Sequence, residues 1–344
     1  MRIFLISLIA IFFILIIFFI YRLSRLIKSR PQASKDHKKE YLKLNKVNAG
    51  LLLGFGILGL IGSVWITLAT SDQVLPGPVS VHGEDVDRLF YWTLGLTGFV
   101  FFLTEFLLFY FSWKYRHTPS QKAYFFPIDY KLEFIWTIIP ALTFIGLNIM
   151  GFTTIHKIMD LPPEDAVVVE ILGQQYSWMV RYPGPDGELG EFDFRYIDPV
   201  NHFGLKLNDP ASFDDFMPMQ MYLPVNRSIE LKIRSRDVIH SVFLPYFRVK
   251  MDAVPGMPTR FNFIPTKTTE EMRAELEDED FDYELACTEL CGRGHFAMRF
   301  IVKVIEQEEF DAWYEEQESW LAKNPSYLEN VPTDLRELAQ ISMK

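Results

Sequence analysis

Apolar and polar positions alternate in two different ways along this chain. Up to about residue 155 the apolar positions gather into four long runs, over 3–21, 47–70, 89–113 and 134–155. Each run reaches the roughly 20 residues that span about 30 Å of hydrocarbon as a helix. The first run is too long for the apolar part of a signal peptide. No small-x-small cleavage site follows it, and Arg22, Arg25, Lys28 and Arg30 come next, so it reads as a retained span. Beyond Asp160 the texture changes to short alternating or β-branched runs, at 167–172, 178–182, 229–233, 238–243, 260–264 and 300–305. Turn signals separate them, among them Pro183-Gly184-Pro185-Asp186-Gly187, Leu223-Pro224-Val225-Asn226 and Val254-Pro255-Gly256.

This pattern predicts an α+β membrane protein. Four transmembrane helices occupy 1–155, an antiparallel β-sandwich or small barrel occupies 160–305, and a C-terminal helical extension occupies 306–344. Within that extension, Phe310, Trp313, Tyr314, Trp320 and Leu321 fall near helical spacing over 308–323. They predict one amphipathic helix docked on the β-domain or on the membrane surface.

Charge orients the chain. Residues 1–155 carry a net charge of +6 and the remainder −16. The loop 22–46 holds nine Lys/Arg, and 114–132 holds Lys114, Arg116, Lys122 and Lys131. Between the second and third runs stand Asp72, Glu84, Asp85 and Asp87 against Arg88 alone. The positive-inside rule therefore puts both basic loops in the cytoplasm and both termini outside, with the acidic half extracytoplasmic. In bacterial terms this is a multi-pass protein of the inner membrane with its β-domain in the periplasm. An acidic surface repels nucleic acid and anionic lipid. Glu105 is the one charge well inside a run; it reads as a carboxylate paired across a helix interface, with a proton-relay group as the alternative. Glu133 lies where the fourth run leaves the cytoplasmic surface, a position that solvation alone explains.

The candidate chemistry sits in one segment. Cys287-Thr-Glu-Leu-Cys291-Gly-Arg-Gly-His295-Phe-Ala-Met298 contains both cysteines of the chain. Two thiolates, an imidazole and a thioether form a soft donor set that favours copper over magnesium, calcium or manganese, and His240 is a plausible second imidazole. Gly292 and Gly294 let the loop turn tightly enough for its side chains to converge. Three other readings stay open on residue types alone: a disulfide, a structural Cys2His2 zinc site, and two unrelated buried thiols. Zinc gives no role to Met298. Two cysteines exclude a disulfide-rich scaffold or a four-cysteine iron–sulfur cluster, and no CxxCH is present for covalent haem.

The pattern C-x-E-x-C-x-x-x-H-x-x-M resembles the dinuclear copper (CuA) signature of cytochrome c oxidase subunit II at every defining position. Asp237-Val-Ile-His240-Ser, Lys250-Met-Asp252-Ala-Val-Pro255-Gly256 and Leu132-Glu133-Phe-Ile-Trp136-Thr-Ile-Ile-Pro140-Ala141 are also similar to that family, in the same order. The resemblance implies a cupredoxin-like β-domain. In it Cys287 and Cys291 bridge two copper ions, His240 and His295 each cap one, and Met298 and the backbone carbonyl of Glu289 are further ligands. It also implies a magnesium ion facing the Glu289 side chain, shared with the haem–copper catalytic subunit. Glu133 matches the acid at the mouth of a proton-uptake path. The implied function is to accept electrons from reduced cytochrome c, or a c-type haem domain, and pass them to a partner that reduces dioxygen and pumps protons. A quinol oxidase subunit would lack these ligands, a nitrous oxide reductase would lack the helices, and a zinc-stapled scaffold would transfer no electrons.

Three departures from the family stand out. Its aromatic motif G-H-Q-W-Y-W reads Gly173-Gln174-Gln175-Tyr176-Ser177-Trp178 here, so electron entry is expected through Tyr176, through Trp178 or from a differently docked donor, unless both rings only pack the core. The stretch 184–219 is long and carries eight acids, including Asp186, Glu188, Asp193, Asp214 and Asp215, against Arg195 and Lys206. With the acidic run 270–284 it reads as solvated surface that can steer a basic donor. Finally, the family commonly has two spans; the additional pair is expected to contact other oxidase subunits or a neighbouring quinol-oxidising complex.

Overall fold

The computed structural model describes the backbone of residues 2–28 and 35–343 and the side chains of 11–25, 39–71 and 73–343. Among the described residues four helices lead the chain: α1 (Arg2–Lys28), α2 (Lys35–Ala69), α3 (Val81–Lys114) and α4 (Tyr130–Met159). Among the described residues α2, α3 and α4 are long and apolar enough to cross a membrane. The first expected span, 3–21, lies partly outside the described residues. Large apolar side chains such as Leu58, Phe99 and Phe144 point outward, as they do where lipid is the solvent.

The chain forms two units, residues 1–69 with 97–129 and residues 70–96 with 130–344. In the first, Gly56 lies so close to the Phe109 ring that a Cβ there would collide with it. Small residues let membrane helices approach in this way. In the second, the outer ends of α3 and α4 are tied to the β-domain. Arg248 pairs with Asp87 at 2.6 Å, Arg260 donates to the Met159 carbonyl at 2.7 Å, and the Val81 N–H donates to the Ile264 carbonyl at 3.1 Å.

Among the described residues nine strands follow: β1 (Val167–Gln174), β2 (Ser177–Arg181), β3 (Met221–Pro224), β4 (Ile229–Ser235), β5 (His240–Leu244), β6 (Val249–Ala253), β7 (Thr259–Phe263), β8 (Tyr283–Cys287) and β9 (Arg299–Ile305). They form a four-stranded sheet, β2-β1-β4-β7, and a five-stranded sheet, β3-β9-β8-β5-β6. The sandwich is mixed, which corrects the antiparallel expectation: β1 pairs parallel with β4, and β3 with β9. A parallel pair needs a long crossover, and the excursion after β2 supplies one. β3 falls where the sequence suggests only a turn. Its Pro224 is tolerated because β3 is an edge strand with no neighbour on one side.

The acidic stretch 270–284 is not only surface. Thr268 and Glu271 form a capping box that starts α5 (Thr269–Leu276), and the remainder leads into β8. The expected C-terminal helix is divided into α6 (Gln307–Glu315) and α7 (Trp320–Lys323), followed by α8 (Arg336–Ser342). Ser319 makes the break, because its hydroxyl accepts from the Ala322 N–H and caps α7. α6 docks on the β-domain, where Trp313 stacks on Tyr222 at 4.6 Å and Tyr314 meets Phe216 at 4.9 Å.

Two cores result, and they explain why β1 is buried on both faces. Val169 and Ile171 point between the sheets, with Ile229, Leu231, Ile233, Val242, Leu285 and Val302. Leu172 points the other way, into a second core with Phe203, Leu205, Phe213, Trp320, Leu321, Val331 and Ala339. The same outer face carries Glu170, Arg181 and Arg234, each buried. Arg181 donates to Glu170 and Asp215 at 2.6 Å each, and Arg234 completes the network on Glu170. Asp215 is fully buried and Asp214 half-buried, so the reading of 184–219 as solvated surface is corrected. The stretch folds over the sheet and is covered in turn by the C-terminal segment. Leu321→Ala is expected to cost about 2–3 kcal/mol in thermal unfolding and to speed proteolysis of the last helix. An unchanged melting curve would show that the second core contributes nothing.

Candidate metal centre

Strand pairing builds the site. Val242 of β5 lies opposite Cys287 of β8, so His240, two residues before Val242, shares a face with Cys287. The segment 288–298 then leaves β8 and returns to β9. The Cys287 N–H donates to the Met298 carbonyl at 3.1 Å, which brings the two ends of the loop together.

The soft donors converge. Cys287 Sγ lies 3.9 Å from His240 Nδ1, 3.9 Å from Cys291 Sγ and 3.2 Å from the Glu289 carbonyl, to which its thiol donates. Cys291 Sγ lies 3.7 Å from His295 Nδ1 and 3.9 Å from Met298 Sδ. One ligand atom each from His240, Cys287 and Cys291 fall within 4.8 Å of one another, and all three residues are buried. Both cysteines are free thiols. Met298 is buried in contact with Cys291, where a Cys2His2 zinc site would leave it without a role. The donor set fits copper. Burial pushes the Cys291 thiol up to about 11, with the Cys287 thiol adding to it, so a metal ion must displace that proton as it binds.

Other residues hold the donors. Asp237 Oδ1 lies 2.9 Å from His240 Nε2, which leaves Nδ1 facing the sulfurs. Burial tends to raise the Asp237 carboxyl, but the N–H groups of Gln175 and Val238 and the His240 ring outweigh it and hold it below the usual range. Trp178 packs edge-on against His240, with ring centroids 5.8 Å apart. A Cβ on Gly173 would come within 3.0 Å of both rings. Tyr176 is 41% exposed and covers the ligand loop: its hydroxyl accepts from the Arg293 N–H at 3.2 Å. Gly292 has φ +132°, a region that disfavours side chains, while at Gly294 a Cβ would collide with the Tyr176 ring. Only Gly292 therefore serves the tight turn expected of both; Gly294 makes room for an aromatic ring.

The structure thus brings His240, Cys287, the Glu289 carbonyl, Cys291, His295 and Met298 together, with Tyr176 and Trp178 beside them. The Glu289 side chain points to solvent. Glu133 is not at this site: it stands in the first turn of α4, about 40 Å of helix from its outer end. Glu105 is half-buried on α3. Sequence reading passed over Gln175 and the Asp237 side chain. Their one signal is position: Gln175 precedes the entry aromatic, and Asp237 stands three residues before a candidate ligand.

A β-sandwich that carries two buried thiols and a buried imidazole at one end, joined to apolar helices, defines the class: a membrane-anchored, cupredoxin-like domain with a candidate metal site. Residues 69–154 match the family model of the cytochrome c oxidase subunit II transmembrane domain, and residues 167–305 that of its periplasmic domain. The chain is 33% identical over 245 residues to the alternative cytochrome c oxidase subunit 2 of Bradyrhizobium diazoefficiens, covering 71% of this chain and 84% of that protein. It is 28% identical over 238 residues to cytochrome c oxidase subunit 2 of Cereibacter sphaeroides, covering 66% and 74%. Among solved structures, the periplasmic domain of subunit II of cytochrome oxidase of Bradyrhizobium japonicum is 27% identical, with a TM-score of 0.31, over 45% of this chain and 95% of that one. The chain belongs to the cytochrome c oxidase subunit II family. It is an electron-transfer subunit of such an oxidase, a membrane protein with a periplasmic domain.

Proposed function

We propose that this chain takes single electrons from a reduced c-type cytochrome and passes them to the haem–copper subunit, which reduces dioxygen and pumps protons. The observation that carries this reading is the convergence of two buried thiols, the buried His240 imidazole and the buried Met298 thioether, with the half-buried His295 imidazole beside Cys291. Cys287, Cys291, His240 and His295, with Met298 and the Glu289 carbonyl, would hold two copper ions. Bound copper supplies one-electron redox chemistry. The protein supplies a frame: donors on two paired strands and a glycine-containing loop, backed by Asp237, keep their positions when the charge changes.

The rest of the assignment follows the same lines. The exposed Glu289 side chain is free to face a magnesium ion shared with the catalytic subunit, and Glu133 marks the cytoplasmic mouth of a proton-uptake path. Four spans put both termini and the copper domain on the periplasmic side of a bacterial inner membrane. α1 and α2 add surface for other oxidase subunits or a neighbouring quinol-oxidising complex.

Tyr176, exposed above the ligand loop, is the electron entry, with Trp178 behind it. Exposed acids such as Glu188 and Glu191 steer a basic donor. In the purified oxidase, a reduced c-type cytochrome is expected to reduce the copper centre in a fast phase. High salt should slow association by about an order of magnitude, and Tyr176→Leu should slow electron entry while leaving the copper spectrum unchanged. A centre that no c-type cytochrome reduces would overturn the reading. A rate indifferent to both changes would remove the acids and Tyr176 from the path.

A further inference from the structure

The ligand set comes from two segments far apart in sequence, His240 at the start of β5 and the loop 287–298. No donor side chain lies on a third segment, the turn between β1 and β2, yet that turn is bonded to both. The Gln175 N–H donates to Asp237 Oδ2 at 2.7 Å, and the other oxygen of the same carboxylate meets the His240 ring at 2.9 Å. The Gln175 side-chain amide donates to the Cys291 carbonyl at 2.6 Å. One residue later, Tyr176 accepts from the Arg293 N–H, and its ring fills the space that Gly292 and Gly294 leave open.

We infer that the Gln175–Tyr176 turn is a clasp that fixes the distance between the two halves of the donor set, with Gln175 as its principal positioning residue. The residue reaches both halves at once, through its backbone to Asp237 and His240 and through its side chain to Cys291. A backbone carbonyl bonded to a side-chain amide, in a part-buried contact, cannot rotate freely, so the Cys291 Sγ attached to the same residue is held in register with Cys287. Tyr176 presses on the loop from outside and limits how far residues 292–294 can lift. This role is separate from electron entry, since it acts on the resting centre with no donor present.

The inference rests on the reading of the site as a copper centre, and the experiment separates the two. The copper-loaded oxidase, purified as wild type, Gln175→Leu, Gln175→Glu and Gly294→Ala, is challenged with a copper chelator while the copper hyperfine pattern is recorded. Gln175→Leu removes the amide donor at nearly constant volume, Gln175→Glu puts an acceptor against the carbonyl, and Gly294→Ala displaces the Tyr176 ring. Each is expected to release copper about 10–100-fold faster than wild type and to lose the equivalence of the two copper nuclei, while the β-domain melts at its usual temperature. Should Gln175→Leu fail to accumulate, the other two variants are read in the same assay. Wild-type release and hyperfine pattern in the variants would overturn the clasp and leave the copper centre standing. A wild-type protein that holds no copper would overturn the underlying reading instead.

Discussion

Cys291→Ser is expected to leave a folded β-domain that no longer holds a dinuclear centre. Cys291 Sγ is within 3.9 Å of Cys287 Sγ, His295 Nδ1 and Met298 Sδ, so it touches donors from both ends of the loop. Serine keeps the size but replaces a soft, ionisable sulfur by a hard hydroxyl that does not ionise near neutral pH, and copper selects the sulfur. The cost to the fold is small, about 1 kcal/mol for a buried hydroxyl with poor partners. The cost to function is total: copper content falls by at least half, and reduction by a c-type cytochrome disappears. Metal analysis of the purified variant, with its rate of reduction, checks this. A variant with full copper and an undiminished rate would mean that Cys291 is not a ligand.

Arg181→Met is expected to have the largest effect on stability. The guanidinium is 1% exposed and donates to Glu170, Asp215 and the Gly190 carbonyl, the last at 3.0 Å. Methionine fills much of the volume but leaves Asp215 facing only the Gly190 N–H, a loss of about 3–5 kcal/mol for a buried pair broken on one side. The loss depends on pH in a defined direction. Burial already pushes Asp215 up to about 7, even with Arg181 beside it. A carboxyl whose folded pKa is raised favours the fold while protonated and loses that advantage as pH rises through the folded value. The variant should therefore come closest to wild type near pH 5 and fall furthest behind at pH 8. Denaturant melts of the purified protein at the two pH values check it. A penalty larger at pH 5 would contradict the assignment of the unpaired charge to Asp215.

What the sequence made legible follows from how local each feature is. The apolar helices and most strands announce themselves by run length or alternation. Five of the converging donor residues fall within twelve positions, from Cys287 to Met298, so their chemistry is visible before any fold is known. The buried ion network was not legible. Glu170, Arg181, Arg234 and Asp215 are spread over β1, β2, β4 and the acidic stretch, and each alone looks like a surface charge. Only the second core, built from 184–219 and the C-terminal segment, turns that face of the sheet inward. Nor was the clasp legible, because Gln175 meets Cys291 across 116 positions of sequence. β3 was hidden for a simpler reason. Its four residues end in a proline that a central strand would exclude and an edge strand accepts.

On this reading the Cys287 and Cys291 thiols and the His240 and His295 imidazoles would together hold a pair of copper ions. Electron paramagnetic resonance of the purified oxidase, with metal analysis of the same sample, tests it most directly. The expected result is a hyperfine pattern from two equivalent copper nuclei, with two copper ions assigned to this chain. A pattern from a single copper nucleus, or a diamagnetic site filled by zinc, would contradict it.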